Sequence, residues 1–394
     1  MRVLHFYTAL FVPTHGGLER SVLRIALALS AEDTRVVVYV RLGDHDYSTT
    51  PAIAGVEVVS LAALRNIWAE PLANSDVPGS RMAAEEARLN FLLLRAEIER
   101  RRLREPESRH ALVSFFLSHE GFTAQSVAAS LGIPHIATVR GTDFGRGFYA
   151  PSEFPIVTRV AAAADLVVTT NRTQAAELQR VVPGCRAETI HNSVAENLLA
   201  SCWSRSASDT VRLVSDGGYS HRKGTQVLLN AFAVLRAEGL PVTLAIVGDV
   251  ERKQRAYWSA LRENYLARFG KALMLGDYID AAEVPSFLLG GDIYCLASLA
   301  EGCSQSRCGA LAVGMPVVST RCGELPDLAE RVSHVRLAAP ADQEGFTSTL
   351  RQACRDVLAG GIAIDTNRVD QWRCHLAPER ERAAWIAAVR RVLP

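Results

Sequence analysis

The stretch AEGCSQSRCGALAVGMPVVSTRCGELPD, Ala300–Asp327, decides how the chain is read. It sets one acidic residue, Glu301, before a turn of small and polar residues, then a short helical run and an apolar strand, Pro316–Thr320. Backbone N–H groups at the start of such a helix suit an anionic ligand. Glu301 suits hydroxyl donors, because an ionised carboxylate only accepts hydrogen bonds. A glutamate that simply caps the turn gives the same pattern.

Short apolar runs like Pro316–Thr320 recur along the chain. The first half holds VLHFY (Val3–Tyr7), RVVVYVRL (Arg35–Leu42), VEVVSL (Val56–Leu61), ALVSFF (Ala111–Phe116), HIATVR (His135–Arg140) and DLVVTT (Asp165–Thr170). LERSVLRIALALS (Leu18–Ser30) has helical periodicity, and a polar loop after Leu64 leads into a long helix ending near Glu105. A second series follows the small-residue stretch SCWSRSASD (Ser201–Asp209): VRLVS (Val211–Ser215), VTLAIVG (Val242–Gly248), ALML (Ala272–Leu275), DIYCL (Asp292–Leu296) and PVVST. Apolar runs alternating with helical patterns predict parallel sheets with crossover helices. The expected fold class is therefore α/β, with two Rossmann-like doubly wound domains over residues 1–200 and 201–376. The last helix, APERERAAWIAAVRRVL (Ala377–Leu393), carries an apolar stripe that must dock. Ligands in open sheets of this kind bind beyond the carboxyl ends of the strands, which predicts a cleft between two facing domains.

With 394 residues the chain exceeds one ordinary core. Apolar content of 48% with 22% charged residues is that of a water-soluble globular protein. A net charge of +1 argues against a nucleic-acid partner, which demands a basic face. The basic cluster ERRRLRE around Arg100–Arg104 reads as a solvated helix terminus. No apolar run reaches the length of a membrane span, and MRVLHFYTALF reads as a first buried strand rather than a leader. The eight cysteines show no CxxC pair, so the grouping of Cys303, Cys308 and Cys322 reads as buried reduced thiols, not a metal site. A cytoplasmic location is the corresponding expectation.

Two further loops resemble ligand loops. HGGLERS puts Gly16 and Gly17 between the first strand and first helix, where glycine permits close backbone approach; a simple turn accounts for them equally well. SDGGYSHRKG puts Gly217 and Gly218 after strand Val211–Ser215, and Arg222, Lys223 and Gly224 at the next helix start. Two cations beside a helix N-terminus suit a diphosphate, although a solvated basic pair reads the same in isolation. His119 in FFLSHEGFT follows a strand end, and His15 precedes the first glycine pair; lone histidines of this kind are more often structural.

HGGLERS, RGTD (Arg140–Asp143), HNSV (His191–Val194), RKG (Arg222–Gly224), IVGD (Ile246–Asp249), LGDY (Leu275–Tyr278) and EGCSQSRCGALAVGMPVVST occur in order over nearly the whole chain. This ordered set resembles the family 4 retaining glycosyltransferases of the GT-B fold. The resemblance implies a nucleoside diphosphate sugar donor in the C-terminal domain and a small-molecule or carbohydrate acceptor mainly in the N-terminal domain. It also implies retention of configuration by a front-face mechanism, no metal or other cofactor, and a last helix packing back on the N-terminal domain. By this resemblance Gly17 faces the diphosphate and reacting centre, Lys223 binds the diphosphate, Glu301 contacts the donor sugar, and Asp277 and Tyr278 help frame the nucleobase. Gly217, Gly218, Arg222, Gly302, Cys303 and Ser304 complete the donor set; Gly16, Gly17, His119, Arg140 and Asp143 form the acceptor set. Glu301, Lys223, Arg140 and His119 are the candidates for the reacting centre.

Three positions depart from the family pattern. The second glutamate of the E-x7-E motif, which holds the ribose, falls on Gly309; the arginine that accompanies Lys223 falls on Gly218; and the histidine of HGxD is Arg140. Losing the ribose carboxylate removes charge-assisted hydrogen bonds worth roughly 1.5–3 kcal/mol each. His221 or Arg222 would stand in for the arginine. Glu324 and Asp327 are candidates for a replacement ribose contact, but ordinary helix N-terminal acids describe them better. The expected function is glycosyl transfer, and the alternative is a GT-B-like binding or scaffold protein without catalysis. A nicotinamide-dependent oxidoreductase is set aside because HGGLER lacks the GxGxxG fingerprint. No strongly amphipathic basic helix stands out at the N-terminus, so a soluble acceptor is favoured over peripheral membrane contact through Arg65–Arg104.

Overall fold

A computed structural model gives the fold of the chain. It describes residues 1–9, 11, 17–30, 33–41, 55–62, 79–141, 144, 147–205, 208–251, 254–280, 282–329 and 331–394. The chain divides into two units, one formed by Met1–Ile190 with Arg382–Pro394 and the other by His191–Glu381. The second crossing between them falls inside the last helix, Pro378–Val392.

The first unit is built on seven parallel strands: β1 (Arg2–Thr8), β2 (Thr34–Val40), β3 (Glu57–Ser60), β4 (Arg109–Phe115), β5 (His135–Thr138), β6 (Leu166–Thr169) and β7 (Ala187–Thr189). Their order is β3-β2-β1-β4-β5-β6-β7. Helices cover both faces, so the central strands are buried almost throughout, as their unbroken apolar runs require. Strand β7 carries the sequence Ala-Glu-Thr at the sheet edge, half-buried, and shows no apolar run that would announce it. The Arg100–Arg104 cluster is not simply a solvated helix end. Arg101 is buried and forms ion pairs with Glu57 on β3 and Glu97 on its own helix, so the helix Gly79–Arg104 is clamped to the sheet edge. The last helix inserts Trp385, Ala388 and Val389 among Leu4, Val36 and Ile25 of this unit's core.

The second unit has six parallel strands: β8 (Val211–Ser215), β9 (Val242–Ile246), β10 (Leu273–Leu275), β11 (Ile293–Leu296), β12 (Val317–Thr320) and β13 (Val335–Ala338). Their order is β10-β9-β8-β11-β12-β13, the doubly wound arrangement. Alternation along β11 sorts its side chains between two cores. Ile293 and Cys295 pack with Phe232 and Leu350 of the helices Thr225–Ala237 and Gln343–Leu358, while Tyr294 and Leu296 pack with Leu311 of the helix Gln305–Val313. Edge strand β13 is again short and partly exposed, which hides it in the sequence.

A fully buried ion pair fixes the helix Gln305–Val313. Arg307 donates through Nε to Glu324 Oε1 at 2.7 Å and through Nη2 to Glu324 Oε2 at 2.8 Å, with neither side chain exposed. Arg307 also donates to Ser319 Oγ on β12 at 3.0 Å and to the Cys322 carbonyl at 3.0 Å. Glu324 is therefore an internal tie and not an ordinary helix-terminal acid. All eight cysteines are free; Cys202 and Cys374 are exposed and Cys303 and Cys322 half-buried, so only half of them are buried thiols.

Removing one partner of a buried pair strands the other's charge in the core. Arg307→Met or Glu324→Gln is expected to cost about 3–5 kcal/mol in urea unfolding, and a Met/Leu double replacement to recover most of it; single variants as stable as the parent would refute this. Trp385→Ala is expected to cost about 3–5 kcal/mol through the cavity it leaves in the first unit, read as a lower urea midpoint.

Candidate functional site

In the second sheet the strand order reverses between β8 and β11, which opens a crevice at their carboxyl ends. Both ligand-like loops start there: Asp216–Gly224 leaves β8 and Ala297–Ser304 leaves β11. They are laced together at close range. Gly224 has φ +64°, and a Cβ on it would lie 1.9 Å from the Ala297 carbonyl oxygen, so only glycine fits. The Leu299 amide donates to the Arg222 carbonyl at 2.8 Å.

This lacing brings Lys223 onto Glu301. Lys223 Nζ stands 2.8 Å from Glu301 Oε1, and Arg222 Nη1 lies 3.6 Å from the same oxygen. Ser298 Oγ donates to Glu301 Oε1 at 2.7 Å. The Glu301 side chain is only 7% exposed. Burial opposes its charge, but Lys223, Arg222 and Arg307 more than offset that and hold the carboxyl well below the usual range. The pair sits in the loops beyond the carboxyl ends of β8 and β11, with Arg222 exposed beside it.

The helix start that follows is less open to an anion than its sequence suggests. Ser304 caps the helix Gln305–Val313, accepting from the Arg307 amide, and the Ser304 amide itself donates to Glu324 Oε2 at 3.1 Å. An internal carboxylate thus already occupies one of the amides at the helix N-terminus. Cys303 lies one residue earlier, its sulfur 3.6 Å from that of Cys308. Gly302 is buried against the same turn.

The remaining donor-side candidates spread along the strand ends. Gly217 lies against Leu296, where a Cβ would come within 2.9 Å of Leu296 Cδ1. Gly218 has φ +68°, and a Cβ there would meet the Asp249 carbonyl oxygen at 2.6 Å. The arginine implied at this position is therefore excluded by the path of the backbone itself. Asp277 has an exposed side chain that accepts from Arg262 Nη1 at 2.9 Å, while its carbonyl accepts from the Gly248 amide at 3.0 Å. Arg262 lies over the Tyr219 ring, 4.6 Å from its centroid, and Tyr278 follows half-buried. Gly309 is buried within the helix, and a Cβ on it would come within 2.9 Å of Leu198 Cδ1. Asp327 is engaged too, lying 3.2 Å from His191 Nε2.

In the first unit, Gly17 opens the helix Gly17–Ser30 after β1. His119 is exposed at the start of the helix His119–Leu131 after β4. Arg140 follows β5; its Nε donates to Thr138 Oγ1 at 3.3 Å and its guanidinium sits 5.2 Å from the Phe115 ring centroid. Both follow carboxyl ends of neighbouring strands of one sheet. Gly16, His15 and Asp143 lie outside the described residues.

Sequence reasoning missed Asp216 and Tyr294. Tyr294 on β11 donates to Asp216 Oδ1 at 2.9 Å, and Ser306 donates to Asp216 Oδ2. An acidic residue directly after the strand and before two glycines was the available signal for Asp216.

The comparisons with known proteins agree with this architecture. Residues 15–197 match the model for Glycosyltransferase Family 4, and residues 210–356 match that for Glycosyl transferases group 1. A curated relative, the MMP alpha-(1->4)-mannosyltransferase of Mycolicibacterium hassiacum, is 30% identical over 131 residues, which is 32% of this chain and 30% of that protein. The sucrose-phosphate synthase structure from Thermosynechococcus elongatus superposes with a TM-score of 0.78 at 16% identity, covering 100% of this chain and 99% of that one. Anabaena HepE in complex with UDP-glucose gives 0.72 at 16% identity, covering 99% and 100%. With both halves matched in order and the doubly wound sheets in place, the chain belongs to the family 4 glycosyltransferases of the GT-B fold.

Proposed function

We propose that the chain transfers a glycosyl group from a nucleoside diphosphate sugar to a small-molecule or carbohydrate acceptor, with retention of configuration and without a metal ion. The observation that carries this reading is the Lys223–Glu301 pair, flanked by Arg222, at the reversal point of the second sheet. The UDP-glucose in the HepE structure and the mannosyl transfer named for the curated relative supply the substrate class by analogy.

In this reading the arriving diphosphate draws Lys223 Nζ away from Glu301, and Arg222 adds a second positive charge. Their role is to stabilise the charge that develops on the departing diphosphate, as a metal ion does elsewhere. Glu301, released from Lys223, accepts hydrogen bonds from the donor sugar. The acceptor hydroxyl attacks the anomeric carbon on the face from which the diphosphate leaves. The carbon–oxygen bond to diphosphate breaks as the new glycosidic bond forms, and a diphosphate oxygen takes the hydroxyl proton. Gly17, His119 and Arg140 are the acceptor-side candidates of the first unit, together with Gly16 and Asp143. The protein would act in the cytoplasm; no described helix is long and apolar enough to cross a membrane.

A second reading, a GT-B-like binding or scaffold protein without catalysis, is favoured by one observation. The anion-binding elements are engaged internally, Lys223 by Glu301 and the Ser304 amide by Glu324.

A panel of nucleoside diphosphate sugars, with product mass and anomeric configuration read by mass spectrometry and NMR, separates these readings. Transfer with retention that survives EDTA is expected; no turnover of any donor and no preference among nucleotides selects the second reading, and inversion or EDTA sensitivity overturns the corresponding part of the first. Lys223→Ala is expected to weaken nucleoside diphosphate binding about tenfold to a hundredfold in calorimetry, with Lys223→Arg not restoring it. An unchanged affinity would sink the role given to Lys223.

Glu301 also predicts a pH dependence of stability. Its carboxyl is brought from an ordinary 4.5 to about 2, burial working against the shift and Lys223, Arg222 and Arg307 producing it. A depressed folded value stabilises the fold above the unfolded value and loses that contribution as pH falls through the folded one. The wild-type advantage over Glu301→Gln should therefore be full above about pH 4.5, on the order of 3 kcal/mol, and shrink toward pH 2 in urea titrations. A constant difference over that window would contradict it.

A further inference from the structure

The carboxylates around the crevice differ in one respect. Glu301 is paired with Lys223, Asp277 with Arg262 and Glu324 with Arg307, while Asp327 is hydrogen-bonded to the His191 imidazole. Asp216 has no such cation: among the described residues its carboxylate meets only neutral hydroxyls, those of Tyr294 and Ser306. It is half-buried at the carboxyl end of β8, on the first residue after the strand. Tyr294 is fully buried on the neighbouring strand β11 and Ser306 stands in the first turn of the helix Gln305–Val313, so a strand of the sheet and a helix packed on it together aim the carboxylate. Two hydroxyl bonds use half of the acceptor capacity of an ionised carboxylate. Such a charge, oriented but not neutralised, at the reversal point of a doubly wound sheet is suited to a ligand bearing hydroxyl donors.

We propose that Asp216 is the carboxylate that accepts hydrogen bonds from the ribose hydroxyls of the nucleoside diphosphate, in place of the one absent at position 309. The proposal rests on the nucleotide-sugar reading above. Gly309 lies one helical turn beyond Ser306 on the same face and carries no side chain, while Leu198 closes the space into which its Cβ would point. Glu324 and Asp327 are both committed elsewhere. Asp216 keeps two unused acceptor positions and, unlike the exposed Asp249 after β9, is half-buried and aimed by two hydroxyls on the first residue after β8, from which the Lys223 loop departs. A vicinal diol offers two donors to one carboxylate, the geometry that makes a ribonucleotide distinguishable from its deoxy counterpart.

Calorimetry with UDP, GDP and ADP, each against its 2′,3′-dideoxy form, tests this on the intact chain. Wild type is expected to bind at least one ribonucleoside diphosphate about tenfold to a hundredfold more tightly than the dideoxy form. Asp216→Asn should abolish that preference while leaving the dideoxy affinity in place, which also reports an intact fold. Ser306→Ala, a milder change, should reduce the preference part-way. A preference that persists in folded Asp216→Asn overturns the proposal, as does a wild type that binds ribo and dideoxy forms alike; in both cases the nucleotide-sugar reading stands. If Asp216→Asn does not fold, an unaltered preference in Ser306→Ala overturns it. Wild type that binds no nucleoside diphosphate overturns the nucleotide-sugar reading and this proposal with it.

Discussion

The contact of Gly224 with the carbonyl of Ala297 is the constraint on which the site depends. A side chain at 224 would have to enter the peptide of another strand's loop, because its Cβ would stand 1.9 Å from that oxygen. With glycine there, the loop after β8 can lie directly on the loop after β11. The Leu299–Arg222 backbone bond then fixes the register of the two. Lys223 and Glu301 are 78 positions apart in the chain, yet this register leaves them no choice but to pair. The chemistry of the crevice is therefore set by backbone geometry before any side chain is chosen, which is the general reason for glycine at such crossings.

The charge pattern follows from that geometry. A buried carboxylate costs free energy unless cations attend it, and Glu301 has three within electrostatic reach. One of them, Arg307, is spent on Glu324 and serves as scaffold, since a fork of donors can hold a carboxylate, a serine and a carbonyl together. Glu324 in turn satisfies the Ser304 amide. The helix N-terminus that would ordinarily attract an anion is thus partly neutralised from within, and under the proposed reading the diphosphate would be drawn mainly by Lys223 and Arg222. Gly218 has a physical reason of its own: the loop crosses the backbone of Gly248 and Asp249 too tightly for any side chain there.

Much of this was legible in the sequence, and the failures have identifiable causes. Central strands such as Val36–Val40 and Val317–Thr320 are buried on both faces, so their apolar runs are unbroken and easily seen. Ala187–Thr189 and Val335–Ala338 are short edge strands, half-buried, and they leave almost no pattern. Glu301, Lys223 and their flanking glycines could be found because loop chemistry is written locally. Arg101, Arg307 and Glu324 could not, because charged residues read as exposed until a tertiary partner is known. Asp216 was hidden for the same reason: its partners Tyr294 and Ser306 lie 78 and 90 residues away.

The choice of lysine at 223 is itself an argument about the site. Only three of the chain's 43 basic residues are lysines, so the composition strongly favours arginine wherever a positive charge is all that is needed. Among the described residues the other buried or half-buried pairs between a carboxylate and a lysine or arginine use arginine, as in Arg101 with Glu57 and Arg212 with Asp292. Those pairs are structural, and a rigid planar fork suits a fixed geometry. At 223 the partner must be released if a diphosphate is to be bound. A compact ammonium on a flexible stem can swing from a carboxylate to a phosphate oxygen, offering its donors in any direction. A guanidinium held by Glu301 and confined by the crossing of Gly224 would have to reorient its whole plane to do so. The lysine fits a cation that changes partners: its side chain is about a fifth exposed while that of Glu301 is nearly buried, so the ammonium is the member of the pair within reach of a ligand.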